Sequence, residues 1–508
     1  MDDLDLDAEP TADRPAHRRF LATLLIASTV ALAAGLTANI RTQLEANDIS
    51  RWCTVWSLVE RGTYAIDDCP WQAKTQDKVR KPDKLPAPAA EDGALKKLEY
   101  AMVPRSRKEG TPTDRYYSSK PPLLPTLIAG LVYPFRRYTG VPLDSAVEQV
   151  RRPRETRVDV PGKPGEFTVE LKQPDPVKWP AYVFYFKPII FLLNVIPMWL
   201  FLVSYARLLD RFAVGDWAWS LSMVAASLGN LLFVFEQSLN NHTVAAYSAY
   251  FALAATIRIF ADGPTAGRYL AAGFFAGFAA TNEIPAAIFG VLLALVLLVK
   301  SPRRLLIAFA PAALVPIVGF LVTQLLAFGQ FKPVYEEFGT KAYEYAGSYW
   351  KDPLEMDYLN KFPEPWPRYL FHMTIGHHGV FSLSPIFVFA LIGGLRAMGG
   401  KFKGLTAVAW LTIVLTVALL AFYTWNPKAR NYGGSTQGLR WLFWLIPFWL
   451  IVLPKGLEAG ETRGWFRGLS AVALAFSVFS VGYALRTPWS HPWILDMLEH
   501  LGLYPLVR

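Results

Sequence analysis

A chain of 508 residues that is 53% hydrophobic and only 18% charged falls short of the ~25% charge of soluble globular domains. That balance excludes an ordinary soluble enzyme: the apolar residues gather in runs of about twenty, the length that crosses a ~30 Å hydrocarbon core. The net charge of +10 does not mark a nucleic-acid binder either, because Lys and Arg sit in short loops between apolar runs, as in the cytoplasmic loops of a membrane protein.

Residues 1–19 are acidic, then basic, and read as a disordered cytoplasmic tail. Arg18 and Arg19 precede the first apolar run, 20–40, which reads as a retained anchor with its N-terminus inside. A long polar region, 41–180, follows on the outside, interrupted only by the apolar stretch Leu123 to Phe135. That stretch is short for a span and holds Pro125 and Pro134. Further runs fall at 181–206, 213–234, 242–261, 267–281, 284–300, 304–327, 380–396, 404–423, 439–454 and 467–486.

Charge decides whether Leu123–Phe135 crosses. If it does not, Arg207, Arg211, Arg258, Arg268, Lys300, Arg303, Arg304, Arg396, Lys401, Lys403, Lys455, Arg463 and Arg467 all fall on the cytoplasmic side. If it does, they all move outside. The stretch is therefore expected to lie in the interface as a juxtamembrane helix. The expected fold is an all-α polytopic membrane protein with about eleven spans, within roughly ten to thirteen. A bundle at 181–486 carries an extracytoplasmic loop at 328–379, and 487–508 forms an extracytoplasmic tail. Within 41–180, Lys74 to Ala90 is rich in Lys and Pro, and Val160 to Pro180 alternates like a short hairpin; neither carries obvious chemistry.

Both cysteines, Cys53 and Cys69, lie in the first outside loop, where oxidation is allowed. A bridge between them is expected. Asp48 stands about one helical turn beyond the first span. A carboxylate there can take a proton from an acceptor hydroxyl that approaches from water or from a lipid head group. Arg51 is one turn further along the same face. Asn47 or Asp48 can also open a helix that runs to Glu60 and stops at Gly62. Lys120 precedes Pro121-Pro122, which disfavour helix at the lysine and hold it at the start of the interfacial segment. That position suits the phosphate of a membrane lipid.

Other outward residues compete for the site. Asn282-Glu283 puts an acid at a tight turn between apolar runs, where it is functional, paired or a cap. His372, His377 and His378 cluster in a spacing that matches no standard zinc pattern. Asn431 to Trp441 is a glycine-rich turn whose backbone N–H groups, with Arg440, could grip a phosphate or sugar. Gly273 and Gly277 form a small-xxx-small pair for helix packing.

Three quoted stretches carry a resemblance: Asp48-Ile49-Ser50-Arg51-Trp52, Glu60-Arg61-Gly62-Thr63-Tyr64, and Tyr117-Ser118-Ser119-Lys120-Pro121-Pro122-Leu123. Following a first span in this order, they resemble the polyprenyl-phosphate-dependent glycosyltransferases of the GT-C class, in particular the bacterial aminoarabinose transferase and protein O-mannosyltransferase families. The resemblance covers roughly residues 20–135. Ile49 replaces an acid frequent in those families, and Lys74–Lys108 looks like an insertion. Where those families often carry an acid at the outer end of the third-to-fourth span turn, this chain reads Glu236-Gln237-Ser238-Leu239-Asn240-Asn241-His242, so the resemblance implies that Glu236, Asn241 or His242 would substitute. The resemblance implies an inverting transfer of a sugar from a polyprenyl-phosphate donor to an extracytoplasmic hydroxyl on a glycolipid, glycan or protein. Asp48 would be the base, Lys120 would hold the donor phosphate, and Arg51 would orient either. No cofactor besides the lipid-linked donor is expected; the reading is metal-independent or weakly metal-dependent, with a divalent metal allowed but not indicated. Rival readings are a transporter or lipid flippase, disfavoured because the polar residues gather outside rather than in mid-span, and a non-catalytic assembly subunit of the same fold.

Overall fold

The computed structural model describes residues 16–40, 45–82, 114–149, 154–159, 167–172, 177–337, 340–345, 348, 364–400, 402–426 and 430–504. Among them, eight helices are long and apolar enough to cross a membrane: Ala16–Ala38, Tyr182–Arg211, Asp216–Gln237, His242–Ala261, Pro302–Phe328, Lys403–Trp425, Arg440–Glu458 and Gly464–Ala484. Each coincides with one of the expected runs. The other three expected runs are also helical but shorter, as Ala266–Asn282, Ala286–Leu298 and Phe387–Met398. The last was expected from residue 380. It starts later because the short helix Val380–Leu383 ends before Pro385, which has no N–H to continue it.

The N-terminal expectation needs correction. Residues 1–15 lie outside the described residues, but 16–19 belong to the first helix rather than to a disordered tail. Arg18 anchors that helix, donating to Asp216 at 2.6 Å and to the Val214 carbonyl at 2.9 Å. This contact belongs to a basic end of the bundle. There Arg211 donates to Asp262 at 2.7 Å, Arg268 donates to the Asp262 carbonyl at 2.7 Å, and Lys455 reaches the Phe212 carbonyl at 3.3 Å. The loops grouped by charge in the sequence are thus neighbours in space.

The long connections meet at the other end. Lys187 donates to the Ala38 carbonyl at 2.5 Å, Gln237 to that of Leu485 at 3.2 Å, and Lys81 to Gln330 at 3.2 Å. The helix Leu123–Thr139 lies here. It buries Leu124, Ile128 and Val132 against Ala46–Trp56 and Ala310–Phe328, and leaves Leu127, Leu131 and Phe135 about half exposed. An amphipathic helix with an apolar outer face suits an interface. Gly140, with φ +69°, ends it in the left-handed conformation that glycine adopts without steric penalty.

The strands are few and short. Lys78–Pro82 pairs antiparallel with Asp114–Ser118, matching Lys78 to Ser118. The anticipated hairpin begins earlier than Val160, since Arg154–Asp159 pairs with Phe167–Lys172; Val177–Pro180 instead returns to Ala146–Gln149. Close helix approach uses glycine: a Cβ on Gly273 would collide with the Phe309 carbonyl, and one on Gly277 would lie 2.5 Å from that of Ala313.

Cys53 and Cys69 form the expected disulfide, with Cα atoms 5.6 Å apart and a sequence separation of 16. It joins the helix Ala46–Trp56 to the turn that leads to the strand pair, inside an apolar cluster with Trp52, Trp56, Ile128 and Phe186. Closing a loop of this length is worth about 3 kcal/mol on the chain-entropy model. Cys53→Ser in detergent is therefore expected to lower thermal stability by about that amount. An unchanged melting temperature would mean that the bridge does not constrain the fold.

Candidate functional site

The site starts with the helix Ala46–Trp56. Its N-cap is Glu45, not Asn47 or Asp48. The helix begins before the predicted cap, so Asp48 falls in its first turn and points inward, 5% exposed. Arg51, one turn on, is 2% exposed. Beyond Trp56 the helix widens into a π-turn, Ser57–Arg61, and ends at Gly62 as expected.

Three hydroxyls stitch this helix to the strand pair. Thr75 donates to the Ala46 carbonyl at 2.7 Å, Ser50 donates to the Asp77 carbonyl, and Ser50 and Ser118 hydroxyls lie 2.6 Å apart. Across the strands, the Ser119 N–H donates to the Asp77 carbonyl at 3.0 Å. The pairing therefore puts Asp77 beside Lys120, whose ammonium meets the carboxylate at 3.1 Å. Burial pushes the Asp77 carboxyl up, but Lys120, Arg440 and Arg51 together outweigh it and hold the group below its ordinary range. Burial likewise lowers the Lys120 ammonium, with Asp77 opposing the shift.

Arg51 bridges to the bundle. It donates to the Leu239 carbonyl at 3.2 Å, to the Asn47 carbonyl at 3.3 Å and to the Asn241 side-chain oxygen. Asn241 in turn donates to Glu283 at 2.6 Å and to the Asn282 carbonyl at 2.9 Å, and His242 pairs with Glu283. Asn241, His242 and Glu283, predicted from separate turns, thus stand in one network with Arg51. Arg440 enters from the start of its helix. It lies 4.9 Å over the Trp489 ring and interacts with Asp77, Glu283 and Asp48. Gly433, with φ +94°, lets it pass: a Cβ there would stand 2.7 Å from the Arg440 Nε.

Asp48 is the least satisfied member. Burial raises its carboxyl to about 7, against the pull of Arg51. Its Oδ1 has no hydrogen-bond partner, nor has Arg440 Nε, while the Trp489 indole N–H is directed at the Asp48 carboxyl. Buried polar groups are nearly always paired, so two orphans in one network mark a place that suits a polar ligand. Three cations, Arg51, Lys120 and Arg440, face three carboxylates, Asp48, Asp77 and Glu283.

Other predicted members lie elsewhere. Glu236 sits in the 3-10 turn Leu231–Gln237, which aims its carboxylate into the core as acceptor for the Tyr247 hydroxyl. His377 and His378, both 0% exposed, stack with His372 and Tyr432 in a separate cluster. Burial first, then neighbouring imidazoles, keep both rings far below the ordinary histidine range, hence neutral. The glycine-rich turn does not offer the expected row of N–H groups. Those of Gly433, Gly434, Gln437, Gly438 and Arg440 are spent on Asn431, Pro488, Thr436 and Gly438.

Sequence reasoning missed Asp77 and Trp489. Asp77 lies in the Lys- and Pro-rich stretch that seemed to carry no chemistry; the signal was the short alternation after it, able to pair with residues 114–118. Trp489 had no motif, only its place in the C-terminal tail on the same side. A cavity of about 390 Å³ exists at the basic end, lined by Arg211, Arg396, Lys455 and Glu458. Arg211 already has Asp262, and Lys455 has Glu458, so it offers little free charge. No family model, curated protein or solved structure matches the chain.

Proposed function

We propose that this is an integral-membrane glycosyltransferase of the GT-C type, with all eleven helical segments crossing the membrane and the basic end in the cytoplasm. It moves a sugar from a polyprenyl-phosphate donor to an extracytoplasmic acceptor hydroxyl. The observation that carries this reading is the convergence of Asp48, Arg51, Lys120 and Arg440 on one network, the first two buried and the last two partly so. They come from distant stretches of the chain, and they supply one base near neutral pKa beside three cations.

The chemistry follows from these roles. The Asp48 carboxylate takes the proton of the acceptor hydroxyl as its oxygen attacks the anomeric carbon. The bond from that carbon to the phosphate oxygen breaks, and the electron pair leaves with the phosphate. Attack opposite the leaving group inverts the configuration. Lys120, Arg51 and Arg440 stabilise the charge that grows on the phosphate. Asp77 holds Lys120 in place until the phosphate shares its ammonium, and Glu283 and His242 set the position of Asn241 and so of Arg51. The half-exposed apolar face of Leu123–Thr139 gives the polyprenyl chain a place to lie in the interface.

The test is donor-dependent. In proteoliposomes with a polyprenyl-phosphate-linked sugar, Lys120→Ala is expected to raise the donor KM or lower kcat/KM by roughly 10- to 100-fold, the loss of one charge-assisted contact of ~1.5–3 kcal/mol. The acceptor KM should change little. A variant with unchanged donor kinetics would remove Lys120 from the phosphate site. No sugar transfer by the wild type with any lipid-linked donor would sink the reading as a whole.

A further inference from the structure

A second constellation lies at the loop end of the molecule, apart from the charge network. Glu364, His372 and His377 each offer one ligand atom, and the three atoms lie within 4.8 Å of one another. All three residues are buried, at 6%, 8% and 0% exposure. We propose that they form a binding site for a divalent transition-metal ion of the zinc class, which clamps the C-terminal segment to the rest of the loop end.

The ligand set fits the ion. Two imidazoles and a carboxylate are a zinc-type donor set that leaves a fourth position open. Ligands about 2.1 Å from one ion stand roughly 3.4 Å apart in a tetrahedron. The observed spacing therefore needs side-chain shifts of about 1 Å and no backbone rearrangement.

The surroundings hold these ligands as outer partners hold metal ligands. Glu364 accepts from the Tyr504 hydroxyl at 2.5 Å, from the Tyr432 hydroxyl, and from Arg368 Nε at 3.1 Å. His372 Nε2 already faces that carboxylate at 3.8 Å. The His377 amide touches His372 Nδ1 only at 3.5 Å, the outer limit of a hydrogen bond, so either tautomer of His372 is open. His377 Nδ1 meets His378 Nδ1 at 2.5 Å, which fixes one nitrogen of His377 and turns the other away from it.

The competing explanation is a packed aromatic cluster. His372 and His377 do stack at 3.9 Å, and His378 stacks on Tyr432 at 4.4 Å. Stacking does not satisfy ring nitrogens, however. His377 Nε2 and His378 Nε2 are buried without a hydrogen-bond partner, as is Nδ1 of the neighbouring His491. A buried unpaired nitrogen costs about 1–3 kcal/mol, and apolar rings would pack as well without that cost. A metal ion bound through His377 Nε2 removes that penalty. It also gives Tyr504 and Tyr432 a shared anchor. The segment that ends at Tyr504 begins with Trp489, which covers Arg440. The inference does not rest on the glycosyltransferase reading.

The test uses the full-length protein in detergent. Elemental analysis of protein purified without chelator is expected to find about one zinc per chain. After chelator dialysis, Co²⁺ should bind with equal stoichiometry and give the intense visible absorption of a tetrahedral site. Added Zn²⁺ should raise the melting temperature of the stripped wild type, a readout that needs no variant. His377→Ala and Glu364→Gln should each weaken Co²⁺ binding at least 10-fold; Tyr504→Phe, outside the ligand set, should weaken it less. Folded wild type with no bound metal, no Co²⁺ absorption and no Zn²⁺ stabilisation would overturn the proposal. So would metal binding that survives the combined His377→Ala and Glu364→Gln change.

Discussion

Asp48→Asn is expected to lower turnover by ~10²- to 10⁴-fold, the range for loss of a positioned general base. Asparagine keeps the shape and removes the proton acceptor, so the fold is expected to persist. Burial raises the Asp48 carboxyl to about 7 from 3.8. The wild-type kcat/KM is therefore expected to rise with pH through about 7 and then level. The residual activity of the asparagine variant should lack that rise. The same shift has a sign for stability. The folded state holds this proton more tightly than the unfolded chain, so the contribution is fully present below 3.8 and is lost as pH climbs through about 7. At pH 8 the asparagine variant should accordingly melt no lower than wild type. Undiminished activity in proteoliposomes, or a pH rise that survives the substitution, would remove Asp48 from the base role.

Arg51→Ala should have the largest effect on stability among site variants, a loss of about 3–5 kcal/mol together with activity. The guanidinium is 2% exposed and compensates Asp48, Asp77 and Glu283 at once. Removing it leaves buried carboxylates without their shared partner and frees Asn241, which positions the turn before the helix His242–Ala261. Arg51→Lys keeps the charge but cannot reach Leu239, Asn47 and Asn241 together, so an intermediate loss is expected. Combining Arg51→Ala with Asp48→Asn should recover part of the stability, because the two residues are coupled and their effects do not add. Thermal unfolding of wild type, the three single variants and the double variant decides it. Additive losses, or an Arg51→Ala protein as stable as wild type, would show that the network is not what holds this corner together.

The apolar runs were legible because a bilayer demands long, uninterrupted hydrophobic segments, and the loop charges could be grouped because like loops share an end. Lys120 could be placed because two prolines fix the chain beside it. Arg51 and Asp48 could be paired because one helical turn separates them. Asp77 was illegible for a different reason: its position depends on the strand Lys78–Pro82 finding Asp114–Ser118, a register that no local pattern fixes. The direction of Glu236 was illegible because nothing local marks the 3-10 geometry of Leu231–Gln237, which sends it to Tyr247. His377 and His378 share a side with the main network, but His377 packs on Tyr432 and Tyr504 beside Glu364, and His378 stacks on Tyr432.

The strand pair also says how this protein can vary. Pro82 and Asp114 are register partners, so everything between them departs from and returns to the same place. Its length has no purchase on the distance between Asp77 and Lys120, which the ladder and the Ser50 and Ser118 hydroxyls hold. A slip of one residue in the ladder is costly, since it would turn Asp77 to the opposite face. Kin of this chain are better sought by aligning the two short strands than by counting residues from Asp48 to Lys120.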